Sequence, residues 1–273
     1  MQCPPRSKGQ AFTLIELLIV LVVGSVLAII SVRFIGESAR MLLDSGARQQ
    51  LAATSSVISE KISRLLRPAL PGSIRTTADG RCIEFIPVNV ASVYTDLALN
   101  TVITDFSAVP VSETLANTGY VAIYPINSTE LYNPSASGAL TQSVATLPAR
   151  TSGTAAVTVS LSSAHEFLSD SPVRRFYLVT TPEAVCQQGS FLYHFRNYGF
   201  IANVTSLEAA LPASQAAGRD VLAYPLQNNS LNFRYLPPTL QRNGLVTFSY
   251  VLENLSSNDQ LQQTQEVQIR NVP

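Results

Sequence analysis

Residues 12–32 read Phe-Thr-Leu-Ile-Glu-Leu-Leu-Ile-Val-Leu-Val-Val-Gly-Ser-Val-Leu-Ala-Ile-Ile-Ser-Val. Apart from Glu16, the run holds no charge. As a helix it reaches roughly 31 Å, the depth of a bilayer's hydrocarbon core. Residues 1–11 are polar and carry Arg6 and Lys8 with no acid, so the N-terminus is expected on the cytoplasmic side. A secretory signal peptide has a shorter apolar region followed by a small-x-small cleavage site. A plain membrane anchor has no use for Glu16, because a carboxylate one turn inside an apolar run costs a few kcal/mol unless it is paired.

The segment Lys8-Gly-Gln-Ala-Phe-Thr-Leu-Ile-Glu-Leu resembles the type IV prepilin signature. The resemblance implies that a prepilin peptidase cuts on the cytoplasmic side, just before the apolar run, and N-methylates the new terminal residue. The processing residues are then Gly9, Ala11 and Phe12. Glutamate stands fifth in mature chains of that family. Cleavage after Ala11 makes Glu16 fifth, whereas cleavage after Gly9 makes it seventh. Gly usually precedes Phe directly, and here Ala11 takes that place. By the same resemblance, Phe12 and Glu16 are the assembly residues: the Glu16 carboxylate pairs with the terminal amine of a neighbouring subunit. Each group is costly alone in lipid and relieved by the other.

Beyond the run, Leu43, Ala47, Leu51, Thr54, Ile58, Ile62 and Leu65 recur at helical spacing, with Ser55 and Ser59 set mostly outside that stripe. Pro68 and Pro71 stop the pattern. One helix is therefore expected over 12–67, although a break near Gly36 would give two. The stripe needs a partner surface, and the remaining chain offers short β-like runs. These are 81–87, 120–125, 155–161, 175–181, 190–196, 220–224, 231–235, 245–252 and 265–272. Residues 127–153, poor in hydrophobics, read as a long surface excursion, and Glu208-Ala-Ala-Leu reads as a short helix.

The expected fold is α+β: a long N-terminal helix packed on a mainly antiparallel β-sheet domain, in the manner of pilins. The expected division is a leader at 1–11, a transmembrane helix at 12–35, its amphipathic continuation at 36–67 and a periplasmic β-rich domain at 68–273.

The formal net charge is +0 and charged residues make up 13%, so nothing points to nucleic acid as a partner. Of the three cysteines, Cys82 and Cys186 lie beyond the span. An even pair in an oxidising compartment favours a disulfide, and the alternative is two separate buried thiols. No catalytic constellation, cofactor motif or metal-ligand spacing is present, so no enzyme is expected. His165 and His194 are read as structural, with His194 facing outward from a strand. Phe191, Tyr193, Phe195, Tyr198 and Phe200 are read as packing rather than a sugar platform. Arg174 and Arg175 suit a solvated strand start or a contact to another subunit.

Further blocks, such as Arg81-Cys-Ile-Glu-Phe-Ile-Pro-Val and Arg175-Phe-Tyr-Leu-Val-Thr-Thr-Pro-Glu-Ala-Val-Cys, resemble the MshO family of MSHA-pilus biogenesis proteins. That resemblance implies a minor pilin that primes or caps a filament, with major and minor pilin subunits, the prepilin peptidase and the inner membrane as partners. The J-type minor pseudopilin of type II secretion has a similar order of elements. An anchored adhesin or sugar-binding module is the remaining alternative.

Overall fold

The computed structural model describes residues 13–150, 153–239, 242–254 and 259–269. The chain divides into two compact units, with the boundary between Gln50 and Leu51.

Helix α1 spans Leu14–Leu66 and carries through Gly24 and Gly36 without interruption. In the first unit its large apolar side chains from Leu14 to Ile35 are all half exposed or more. The helix is long and apolar enough to cross a membrane.

In the second unit the helix buries Leu51, Ser55, Ile58, Ser59, Ile62, Ser63 and Leu66. The buried stripe is thus partly offset from the expected one, and Ser55 and Ser59 lie inside it. Their placement follows from Tyr250 on the opposing sheet. The Tyr250 hydroxyl donates to the Ser55 carbonyl at 2.8 Å and meets Ser55 Oγ at 3.1 Å and Ser59 Oγ at 3.0 Å. A phenol can be buried when its hydroxyl is satisfied, and the two serines supply that satisfaction. Tyr250→Phe is expected to lower the unfolding free energy by about 1–2 kcal/mol. Urea unfolding of the full-length protein in detergent measures it; an unchanged midpoint would show that the hydroxyl contributes nothing.

The β elements form three antiparallel arrays. The first sheet has the order β1-β2-β9-β10-β11. Its strands are β1 (Arg75–Thr76), β2 (Cys82–Phe85), β9 (Glu183–Gln188), β10 (Phe191–Phe195) and β11 (Arg219–Ala223). One face contributes Ile83, Phe85, Val185, Leu192 and Ala223 to the core that holds α1. The other buries Cys82, Ala184, Cys186 and Phe195 beneath Leu207 of the short helix α3 (Leu207–Ala210). With both faces covered, the alternation inside/outside is lost. His194, expected to point outward, is therefore buried, with Nε2 2.7 Å from Glu183 Oε2.

The second array is a closed six-stranded barrel of order β3-β4-β7-β6-β5-β8. Its strands are β3 (Val88–Asp96), β4 (Val102–Ala108), β5 (Asn117–Ile123), β6 (Leu140–Leu147), β7 (Val157–Glu166) and β8 (Arg175–Val179). Side chains including Tyr94, Phe106, Val121, Val159, Phe167, Phe176 and Leu178 fill the interior, as in other small barrels. β5 and β8 approach so closely that a Cβ at Gly119 would meet the Val179 carbonyl oxygen at 2.7 Å. The barrel differs from the simple sheet domain expected from the sequence. It also corrects the reading of residues 127–153 as a surface excursion. That stretch supplies α2 (Ser128–Leu131) and β6, and buries Leu131, Tyr132, Leu140, Ala145 and Leu147.

The third array is a sheet of β12 (Asn232–Leu236), β13 (Gly244–Glu253) and β14 (Gln260–Ile269), in that order. Val246, Phe248, Tyr250, Val267 and Ile269 join Ile58, Ile62 and Leu66 in one core.

Candidate functional site

The residues with a candidate functional role lie at the start of α1. Gly9, Ala11 and Phe12 fall outside the described residues. Thr13 precedes the helix, and its carbonyl accepts from the Glu16 N–H at 3.1 Å and the Leu17 N–H at 3.2 Å. Thr13 Oγ1 also accepts from the Glu16 N–H, at 3.4 Å. Thr-Leu-Ile-Glu thus has the spacing of a capping box, with Thr13 at the cap and Glu16 three residues on. The first turn of a helix leaves backbone N–H groups without intrahelical partners, and in lipid these are costly. Glu16 stands there, in the partially positive end of the helix dipole. The spacing is visible in the sequence, although a reading centred on the buried charge passes over it. The position combines two properties: the helix start tolerates a carboxylate, and the apolar surroundings still favour a cationic partner for it.

Cys82 and Cys186 are joined, with their Cα atoms 4.2 Å apart and a sequence separation of 104. They are direct cross-strand partners on β2 and β9. The Gln187 N–H donates to the Arg81 carbonyl, making 81 and 187 a hydrogen-bonded pair. Cys82 and Cys186 therefore occupy the adjacent, closely spaced non-hydrogen-bonded position.

The same face of β2 carries Glu84, which is fully buried. Arg75 Nε donates to Glu84 Oε2 at 2.6 Å, and the Tyr198 hydroxyl donates to Oε1 at 3.0 Å. The Arg75 guanidinium also reaches the carbonyls of Ala202 and Ile201 and lies 3.5 Å from the centre of the Tyr132 ring. Burial raises the Glu84 pKa, and the hydrogen bond and charge of Arg75 oppose that rise. Every strong acceptor of the carboxylate is engaged by protein groups, so the cluster is an internal brace between β1, β2 and the segment after β10.

His165 is buried, with Nε2 3.0 Å from the Gly138 carbonyl, and burial lowers its pKa. Among the described residues, no three His, Cys, Asp or Glu side chains gather as a metal site. The aromatic stripe is divided by the fold. Phe195 is buried, Tyr198 serves Glu84, and Phe200 packs edge-on against Tyr120. Phe191 stacks with Tyr224 at 4.4 Å and with Tyr193 at 5.7 Å, and Arg219 lies over the Tyr193 ring. The five aromatics of the stripe therefore do not form one shared platform, although Phe191 and Tyr224 keep exposed surface.

No curated protein and no solved structure matches the chain. Residues 6–32 match the family described as the prokaryotic N-terminal methylation motif. The match takes in Gly9, Ala11, Phe12 and Glu16, and it marks the N-terminal segment of the chain as type IV pilin-like.

Proposed function

We propose that the protein is a minor pilin that primes or caps a type IV pilus of the MSHA type, and that it has no catalytic activity of its own. The observation that carries the reading is the methylation motif with Glu16 at the start of a long apolar helix. In this reading, residues 1–11 are removed by the prepilin peptidase after Ala11, and Phe12 becomes the methylated N-terminus. The span then holds the chain in the inner membrane with the β-rich unit in the periplasm. On assembly, the Glu16 carboxylate pairs with the terminal amine of a neighbouring pilin. The blocks that resemble the MshO family support this pilus over a type II secretion pseudopilus. The size of the β-rich unit supports a low-copy position at a filament end.

N-terminal mass spectrometry of the protein from cells tests the reading. A methylated Phe12 at the terminus is expected; an intact Met1 or a terminus at Gln10 overturns the proposed processing. Glu16→Ala is expected to leave membrane insertion unchanged and to cut recovery of the protein in sheared pili by tenfold or more, because the neighbouring subunit's terminal amine is then left without its counter-charge in lipid. Wild-type recovery of that variant would remove the assembly role of Glu16.

A further inference from the structure

Five of the eleven described arginines in the second unit have a carboxylate partner. Arg64 pairs with Glu60, Arg75 with Glu84, Arg81 with Asp79, Arg150 with Glu113 and Arg196 with Asp220. Arg67 and Arg175 are two of the six others, and the two that share a cleft. Neither has an ion-pair partner among the described residues, and both line the same cleft, of about 520 Å³.

The cleft lies between the segment that follows α1 and the outer face of the barrel. Strand register explains its wall. β3 and β8 pair so that Ala91 lies opposite Tyr177 and Val93 opposite Arg175. Phe176 and Leu178 point into the barrel core, which turns Arg175 and Tyr177 outward beside Ala91 and Val93. Arg67, Ala69 and Pro71 form the facing wall. The segment is pinned there by the Val88 N–H, which donates to the Pro68 carbonyl at 2.8 Å, and by the Leu70 N–H, which donates to the Ile86 carbonyl, also at 2.8 Å. The result is an apolar cleft, its Val93 wall 41% exposed, with two guanidinium groups that form no ion pair among the described residues, Arg67 having Glu60 only within longer electrostatic range.

We infer that this cleft receives a carboxylate flanked by apolar side chains, presented by a peptide segment of a neighbouring subunit, with Arg67 and Arg175 as its binding residues. The guanidinium fork matches a planar carboxylate and gives it charge-assisted hydrogen bonds. The apolar walls call for aliphatic or aromatic flanks, which a free inorganic anion lacks. The identity of the partner as another subunit rests on the proposed assembly role; the carboxylate chemistry of the cleft does not.

The test uses full-length protein, labelled with 15N at arginine, in an uncharged detergent. The probes are acetyl-Leu-Asp-Phe-amide, its Asn counterpart and inorganic phosphate. The Asp peptide is expected to shift the Nε–H signals of Arg67 and Arg175, with about tenfold or greater preference over the Asn peptide. Arg67→Gln and Arg175→Gln should each weaken the Asp peptide several-fold while leaving the thermal unfolding curve in place. Should a variant unfold, the Asp-against-Asn comparison on the wild type still decides. Equal response to the Asn peptide, equal response to phosphate, or no movement of the two signals overturns the inference. None of these readouts requires a filament. A protein that binds the Asp peptide but never enters pili would overturn the assembly reading alone; one that enters pili yet ignores the peptide would overturn the cleft alone.

Discussion

Replacing Cys82 and Cys186 together with alanine is expected to lower the unfolding free energy by about 4–5 kcal/mol. The bond closes a loop of 104 residues, so its main effect in the chain-entropy description is on the unfolded chain. The loop holds the entire barrel, from β3 through β8, together with β9. Its two ends are neighbours in the first sheet, and nothing in the linear order of the chain keeps them near one another once the fold is lost. The residues also sit in a well-packed site between Phe195 and Leu207, and alanine removes two buried sulfurs there. The double variant should keep the native far-ultraviolet circular dichroism spectrum, unfold at lower urea and show a steeper dependence on urea, because its unfolded state is more expanded. Wild-type protein treated with a reductant should move toward the same midpoint. A loss below about 1 kcal/mol, with an unchanged slope, would mean that the loop is held together in the unfolded chain by something other than the bond.

The parts of this molecule that were legible in advance are those with one exposed face or one strong periodicity. α1 announced itself through its apolar run and then through a helical stripe ended by Pro68. β13 and β14 alternate cleanly because one face meets α1 and the other meets solvent. The barrel strands were harder. In β6, Leu140, Ala145 and Leu147 are buried while Gln142, Val144 and Thr146 face outward or lie half-buried, so its sequence is mostly small and polar. β3 and β4 have the same character, with Val-Asn-Val-Ala-Ser and Val-Ile-Thr-Asp-Phe. A six-stranded barrel has a narrow interior, and a few residues per strand fill it. The remainder of each strand then reads as loop. β9 was hidden for the opposite reason. It is central and covered on both faces, yet it carries Gln187. That side chain is tolerated because Nε2 donates to the Gly189 and Gln227 carbonyls and Oε1 accepts from the Leu231 N–H. The stripe on α1 was misplaced for a related reason: hydropathy alone puts Ser55 and Ser59 on the solvent side, and only the phenol of Tyr250 explains their burial. At the candidate site, the charge of Glu16 was plain from the sequence. The shared cleft of Arg67 and Arg175 was not, since it depends on the register of β3 on β8, which places Arg175 beside Val93, and on the hydrogen bonds of Pro68 and Leu70 that hold the segment after α1 against it.

Arg75→Met is expected to destabilise the protein by about 3–5 kcal/mol at pH 7, because it strands a buried carboxylate. Glu84 is enclosed on β2, and Arg75 is the one cation that contacts it among the described residues. Burial lifts its pKa above the 4.5 of an unperturbed glutamate, and Arg75 and Tyr198 pull in the opposite direction. A carboxyl that is harder to ionise folded than unfolded makes the folded state bind more protons. Stability from this group is therefore greatest below pH 4.5, falls as pH rises through the folded pKa, and is level above it. Removing Arg75 deepens that fall. The loss in Arg75→Met should accordingly be smaller at pH 4, where Glu84 takes up its proton, than at pH 7. Glu84→Gln should show the reverse relation to wild type, becoming relatively more stable as pH rises, since an amide pays no ionisation penalty in the same site. Arg75→Met combined with Glu84→Gln should recover most of the loss, because the pair is removed without leaving a charge behind. The hydroxyl of Tyr132 has no hydrogen-bond partner among the described residues, so its ring meets Arg75 through packing and cation–π contact alone, a contact kept in wild type and Glu84→Gln and lost from both proteins that carry Arg75→Met. Urea unfolding of the four proteins at both pH values measures the cycle. If Arg75→Met costs the same at pH 4 as at pH 7, then lost packing on Tyr132, rather than the buried charge of Glu84, is what the arginine counteracts.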